Sequence, residues 1–291
     1  LIHTKLFERY EINSGYFPFI VDIHSNKASD DSRNFKCKKG FYDASHVFAL
    51  SAFLQYGIMK NDKYSIDFGI KLLKETIECG RNYRNVDHFF GKTPPCRTEG
   101  FMMVTLGAIV DSLKCLELKK SLYASDEFAD YFFTEGRQII DILLESYCDP
   151  DTGEFWEFND SFNHPLINEK GYLVCDPGHA SEACGFIAEL CGLVLEKGEL
   201  EGKTFKWDVK AILQVLPKII SLINTSAYSK NGVMFKLIDL QSREGIPDKI
   251  TEDGNRFRTA PWWNLGELSA ASLNIRAHER RKMPLCIRQS T

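Results

Sequence analysis

Hydrophobic and polar positions recur along the chain in a fixed order. Residues 14–22 (SGYFPFIVD), 152–160 (TGEFWEFND) and 231–239 (NGVMFKLID) each carry a Gly at the second position, an aromatic-rich apolar stretch and a closing Asp. The pattern predicts a turn followed by a short strand in each. Residues 87–91 (DHFFG) form a degenerate fourth copy around His88. After each copy comes a loop and then a segment of helical pattern that opens on small and polar residues. The openings are Phe41-Tyr42-Asp43-Ala44-Ser45-His46, Arg97-Thr98-Glu99-Gly100, Pro177-Gly178-His179-Ala180-Ser181-Glu182 and Pro261-Trp262-Trp263-Asn264-Leu265-Gly266-Glu267. Pro and Gly ahead of an apolar-periodic run are start signals for a helix.

The helices that follow these openings are apolar nearly all round, as in residues 47–54 (VFALSAFL) and 183–194 (ACGFIAELCGLV). All-round apolarity predicts burial. A more amphipathic helix follows each. Residues 64–79 place Ile66, Ile70, Leu73 and Ile77 on one face; residues 127–147 and 207–223 are the others, the last with Pro217 as a kink. The unit is therefore turn-strand, loop, buried helix, half-exposed helix. Stacking such units predicts a mainly α chain, an α/α toroid with short β-hairpins capping one end, in a single domain over 1–291. The polar openings of the buried helices gather at that capped end.

Composition narrows the class without changing the picture. The 291 residues are 44% apolar and 26% charged with a net charge of -4, an ordinary globular balance with no basic stripe for nucleic acid. No apolar run has the length of a membrane span. The opening LIHTKLFERY lacks the apolar core of a signal peptide. Nine cysteines, an odd number with no C-x-x-C pair, argue against structural zinc and for reduced thiols in the cytoplasm. Neither a cofactor nor a metal is expected, and no nucleotide-binding or metalloprotease motif occurs.

The chemistry concentrates at the helix openings. Pro177 and Gly178 set a turn, His179 falls in the first helical turn, and Glu182 lies three residues on, on the same face. A carboxylate beside an imidazole raises its pKa and orients the ring, as a proton-transfer residue requires. The same spacing also fits a helix cap with a satisfied His. Glu267 follows Trp263 by about one helical turn, so indole and carboxylate share a face. With Trp262 they suit a sugar, whose C–H face stacks while its hydroxyls bond; two core tryptophans and a solvated Glu fit equally. Arg97, with Glu99 beside it, clamps a substrate hydroxyl or forms a plain salt bridge. His46 sits beside Ser45 on the first buried helix. His24, His88 and His164 fall on loops.

In sequence order, Asp176-Pro177-Gly178-His179-x-x-Glu182 and then Trp262-Trp263-x-x-x-Glu267 resemble the N-acylglucosamine 2-epimerase family, which includes cellobiose 2-epimerases and aldose–ketose isomerases. Residues 42–51 (YDASHVFALS) also resemble its first inner helix. The resemblance implies an (α/α)6 barrel and proton abstraction and return beside a sugar carbonyl, through an enediol. It implies His179 as one of two catalytic histidines, Glu182 holding it, and Glu267, Trp263, Trp262, Arg97 and His46 around a small carbohydrate, in a chain that forms a homodimer. Three departures accompany it. One helix pair of the middle is missing, so an incomplete ring of fewer than six hairpins is expected. Ser45 stands where the family carries an Arg, with His46 or Lys39 as substitutes. The second catalytic His would fall past Thr291, and His278 is too near Glu267 to replace it. Residues 276–291 lose the apolar pattern and become basic, so a frayed or truncated end is expected.

Three functions compete. The first is a sugar epimerase or isomerase without cofactor. The second is a glycoside hydrolase on the same architecture, with carboxylates drawn from Asp160, Asp176, Glu182 and Glu267. The third is a carbohydrate-binding protein without turnover.

Overall fold

The computed structural model describes residues 2–29, 40–82, 97–118, 126–160, 162–201, 207–250 and 256–281. The degenerate copy at 87–91 with His88, Lys39, and residues 282–291 lie outside the described residues. The chain forms two compact units, one of residues 1–139 with 159–164 and the other of 140–158 with 165–291. No helix among the described residues is long and apolar enough to cross a membrane.

The first unit contains α1 (Ile2–Ile12), α2 (Ala44–Lys60), α3 (Lys63–Arg81), β1 (Arg97–Thr98), α4 (Glu99–Leu118) and most of α5 (Asp126–Ser146). Helix α2 begins where the Asp43 side chain accepts from the Ser45 N–H at 2.8 Å. It ends at Asn61, whose left-handed backbone (φ 57°) lets its N–H cap the last turn. The chain then reverses at once into α3. A Cβ on Gly57 would lie 2.7 Å from Ile66, and one on Gly69 would lie 2.7 Å from Leu54, so the two helices touch where neither carries a side chain. The buried-helix reading holds for Leu50, Phe53 and Leu54, but Phe48 is 63% exposed, on a face of α2 that the pattern did not single out. Helix α1 was not foreseen, because polar residues dominate it. Phe7 and Tyr10, three apart on one face, nonetheless pack against Phe53 and Phe68 with ring centroids 4.6–5.1 Å apart.

The second unit runs from the end of α5 through β2 (Cys148–Asp149), β3 (Glu154–Phe155), β4 (Phe158–Asn159), β5 (Val174–Cys175), α6 (Pro177–Glu201), α7 (Val209–Ser226), β6 (Ile238–Asp239), β7 (Glu244–Gly245), β8 (Lys249–Ile250), β9 (Arg256–Phe257) and α8 (Trp263–Arg281). β2 pairs with β3, β8 with β9, and β5, β6 and β7 make one antiparallel sheet. Helix α6 packs mainly on α8 and next on α7. Its contact face is built from Ala180, Ala183, Cys184, Ile187, Ala188 and Cys191, all nearly inaccessible. Cys184 and Cys191 are free thiols, as their apolar reading expects. Helix α7 continues through Pro217. Helix α8 extends to Arg281, with Ala271 and Ile275 buried and a 3.0 Å bond from Asn274 to Glu189; most of the stretch expected to fray, from 282 on, lies outside the described residues.

The repeat is real in three dimensions. Gly15, Gly153 and Gly232 all have positive φ, between 75° and 87°, which is why Gly stands at that position in each copy. The closing Asp of each copy folds the next turn. Asp22 accepts from the His24 and Ser25 N–H groups at 3.0 and 2.7 Å. Asp160 accepts from Phe162 and His164, and Asp239 from Gln241 and Ser242. These bonds hold all three carboxyls below the usual range, although some burial pulls the other way at Asp239.

Candidate active site

In the second unit, two successive copies of the repeat deliver opposite charges to one place. Four residues after the turn Gly, the second copy carries Glu157 and the third carries Lys236. Both sit inside aromatic stretches, and both are almost inaccessible, at 3% and 9%. Their backbones do the same thing. The Glu157 N–H donates to the Val174 carbonyl just before α6, and the Lys236 N–H donates to the Thr259 carbonyl just before α8, each at 2.8 Å. Each copy thereby stitches a charged residue to the start of a buried helix.

Asp176 caps α6. Its Oδ1 accepts from the Gly178 and His179 N–H groups at 3.0 and 3.4 Å, and Pro177 occupies the first helical position, where its missing N–H costs nothing. Gly178 is required by crowding, since a Cβ there would meet the Asn264 side chain at 2.4 Å. The cap's second oxygen, Oδ2, forms an ion pair with Lys236 Nζ and lies 3.6 Å from His179 Nδ1. His179 Nδ1 in turn lies 3.1 and 3.3 Å from the two Glu157 oxygens. The ring therefore donates from Nδ1 to Glu157 and keeps Nε2 free for chemistry. Asp176, Glu157, His179 and Lys236 together sum to zero charge, which makes their burial tolerable.

The side chain of His179 is 20% exposed. Burial alone would push its pKa down, but the carboxylates of Asp176 and Glu157 overcome this and raise it to about 10, so the ring rests as imidazolium. Glu182, on the same helix, is raised as well. Burial and the neighbouring Glu267 raise it to about 7, against the attraction of His179 and Lys236. Glu267 is raised too, by burial, with His179 opposing. A charged imidazolium thus faces two carboxyls that hold protons more tightly than free ones do.

His179, Glu182, Glu267 and Trp263 are brought together in this unit. Glu182 does not hold His179, as expected; Glu157 and Asp176 do, and Glu182 acts on the ring through its charge. Trp263 lies 5.9 Å from Lys236 Nζ across its ring face. Trp262 stands edge-on to Trp263 and is 84% exposed. Two expected site residues belong to the first unit. Arg97, at 4% exposure, donates to Asn163 Oδ1. His46 is fully buried. Its Nε2 accepts from the Phe17 N–H at 3.2 Å and its ring lies 4.0 Å from that of Tyr42. Burial keeps it neutral against the pull of Asp43. His46 has a structural role in this unit, since its Nε2 is taken up by the backbone. Glu157 and Lys236 were not singled out from the sequence. The available signal was a charge at one shared position of two aromatic-rich copies.

The sequence matches no family model and no curated protein. Solved structures do match in fold. A sugar epimerase from a ruminal bacterium aligns with 16% identity and a TM-score of 0.57, over 94% of this chain and 62% of its own. A D-mannose isomerase aligns with 12% identity and a TM-score of 0.59, over the same shares of 94% and 62%. A glycoside hydrolase of family 105 from C. acetobutylicum aligns with 11% identity and a TM-score of 0.50, over 99% of this chain and 72% of its own. The chain spans about three fifths of the length of the first two, 62% in each case. The fold is thus of the mainly α, α/α toroid type.

Proposed function

We propose that this chain carries the proton-transfer site of a sugar epimerase or isomerase, acting next to the carbonyl of an open-chain sugar. The observation that carries this reading is the held imidazolium of His179. Glu157 fixes the ring through Nδ1 with Asp176 close by, and two carboxyls of raised pKa, Glu182 and Glu267, act on the same ring through their charge. Removing a proton from the carbon beside a carbonyl creates an enediolate, whose oxygen needs a cationic donor. His179 is that donor in its resting state. Glu182, with a pKa of about 7, is matched to accept and return a proton at neutral pH. Trp263 supplies an apolar wall for the sugar's C–H face and Glu267 an acceptor for its hydroxyls. The fold likeness to a sugar epimerase and a D-mannose isomerase agrees with this reading.

The test is proton exchange. The chain is incubated in D2O with aldoses, 2-acetamido sugars and β-linked disaccharides, and the C2 proton is followed by NMR. Exchange or epimer formation that disappears in His179→Ala is expected. A second reading, glycoside hydrolysis, draws on the Glu182–Glu267 carboxyl pair. Cleavage in the same tubes without C2 exchange would favour it over the epimerase. Binding with neither reaction would leave a carbohydrate-binding protein and end both catalytic readings.

A further inference from the structure

Two carboxylates compete for the Nδ1–H of His179, and one of them is already engaged. Asp176 Oδ2 lies 3.6 Å from Nδ1, scarcely farther than the Glu157 oxygens at 3.1 and 3.3 Å. That same Oδ2 is in an ion pair with Lys236. The lysine is delivered by the third repeat copy, pinned at its backbone to Thr259 and stacked at 5.9 Å from Trp263. We propose that Lys236 is a positioning residue: by occupying Asp176 Oδ2 it leaves the His179 Nδ1–H to Glu157, and so sets the direction in which Nε2 points.

The physical argument is short. A charge-assisted bond from an imidazolium goes to the carboxylate with the least neutralised charge. Lys236 neutralises Asp176, and Asp176 also accepts two backbone N–H bonds at the start of α6. Glu157 has no such load from the helix, so it takes the ring. Without Lys236, the buried Asp176 is left with an excess of charge and draws Nδ1 toward itself. The ring then rotates, and Nε2 changes direction. Within the second unit, Glu182 on α6 and Glu267 on α8 also act on His179 through their charge. The same ammonium also lies beside Trp263, so one residue aligns the ring and the indole wall.

This inference deepens the proposed function by naming what aims His179, yet its test needs no sugar. The imidazole of ¹⁵N-histidine-labelled protein is titrated by NMR in a double-mutant cycle of Lys236→Met and Glu157→Gln. In the wild type, Glu157→Gln is expected to lower the His179 midpoint strongly. In the Lys236→Met background the same change is expected to lower it much less, because Asp176 has taken over. Equal shifts in both backgrounds would overturn the proposal. Where Lys236→Met does not fold alone, Lys236→Met with Asp176→Asn removes the ion pair as a unit. In that pair Glu157→Gln must regain its full effect, and a reduced effect there would also overturn it. If turnover is found, Lys236→Met is expected to lower kcat by roughly tenfold to a hundredfold with little change in KM, and Lys236→Arg to recover part of it.

Discussion

The chain contains the same short device twice, with opposite results. Asp43-Ala44-Ser45-His46 opens α2 and Asp176-Pro177-Gly178-His179 opens α6. In both, an Asp caps the helix through backbone N–H groups, and a His follows three residues later. Yet His46 is a neutral core residue and His179 a partly exposed imidazolium. The cap does not make the difference; the partner from the preceding repeat copy does. The first copy offers His46 a backbone N–H from Phe17, which only a neutral nitrogen can accept. The second offers His179 the carboxylate of Glu157, which an N–H can satisfy. The spacing Asp-x-x-His therefore specifies a place at a helix start, and the residue brought opposite decides the charge and hence the chemistry.

Replacing each histidine by alanine should break the symmetry most visibly. His179→Ala is expected to reduce proton exchange at C2 by at least about a hundredfold while circular dichroism keeps its helical signal, with melting lowered because Glu157 and Asp176 lose a buried cation. His46→Ala should act through packing instead. It leaves a cavity and orphans the Phe17 N–H, so a loss of about 2–4 kcal/mol in urea unfolding is expected. A stable His46→Ala protein would show that the buried ring is not a structural partner. Ordinary C2 exchange in His179→Ala would remove it from the chemistry.

The pH dependence of stability should sharpen the contrast, because the two shifts have opposite signs. His179 is raised from about 6.5 to about 10, so its contribution is full below 6.5 and is lost as pH rises toward 10. His46 is lowered, so its neutral form is favoured above 6.5 and stability is lost as pH falls below that value. Glu182 behaves like His179 in sign. Its pKa rises from 4.5 to about 7, and stability falls as pH climbs through that window. Glu182→Gln should therefore flatten the profile between pH 4.5 and 7 and stabilise the protein by about 1–3 kcal/mol at pH 8. Denaturant midpoints measured across pH 4–10 check all three, and a Glu182→Gln profile parallel to the wild type would refute the raised carboxyl.

Much of this arrangement was legible before the structure. Gly at the second position of each copy marks the turns, and the openings at 41–46, 97–100, 177–182 and 261–267 each contain a true helix start. Those signals are local: a turn needs positive φ, a helix start needs a cap, and both are set by neighbouring residues. The partner of His179 was not local. Glu182 is three residues away and was expected to hold the ring, whereas Glu157 lies twenty-two positions upstream, between β3 and β4. Lys236 escaped notice for a related reason: a charge within MFKL reads as an interruption of an apolar strand. Helix α1 was missed because its two aromatic anchors are outnumbered by polar residues.

Glu267 gives the smallest expected effect and the finest test of how the two carboxyls share the site. It lies on α8, one helical turn beyond Trp263, and its charge is the largest cause after burial of the raised Glu182. Glu267→Gln keeps the shape and removes that charge. Sugar affinity should weaken about tenfold, roughly 1.4 kcal/mol, by calorimetry, because a carboxylate acceptor becomes a neutral one. Unfolding free energy should change by less than about 0.5 kcal/mol at acid pH, where protonation removes the charge that the substitution deletes. The Glu182 midpoint, read by ¹³C NMR, should fall below about 7. An unchanged dissociation constant with a lowered Glu182 midpoint would leave Glu267 a tuner of Glu182 and not a sugar ligand. An unchanged midpoint would separate the two carboxyls altogether, and His179 would then have Glu182 alone as its proton-exchanging partner.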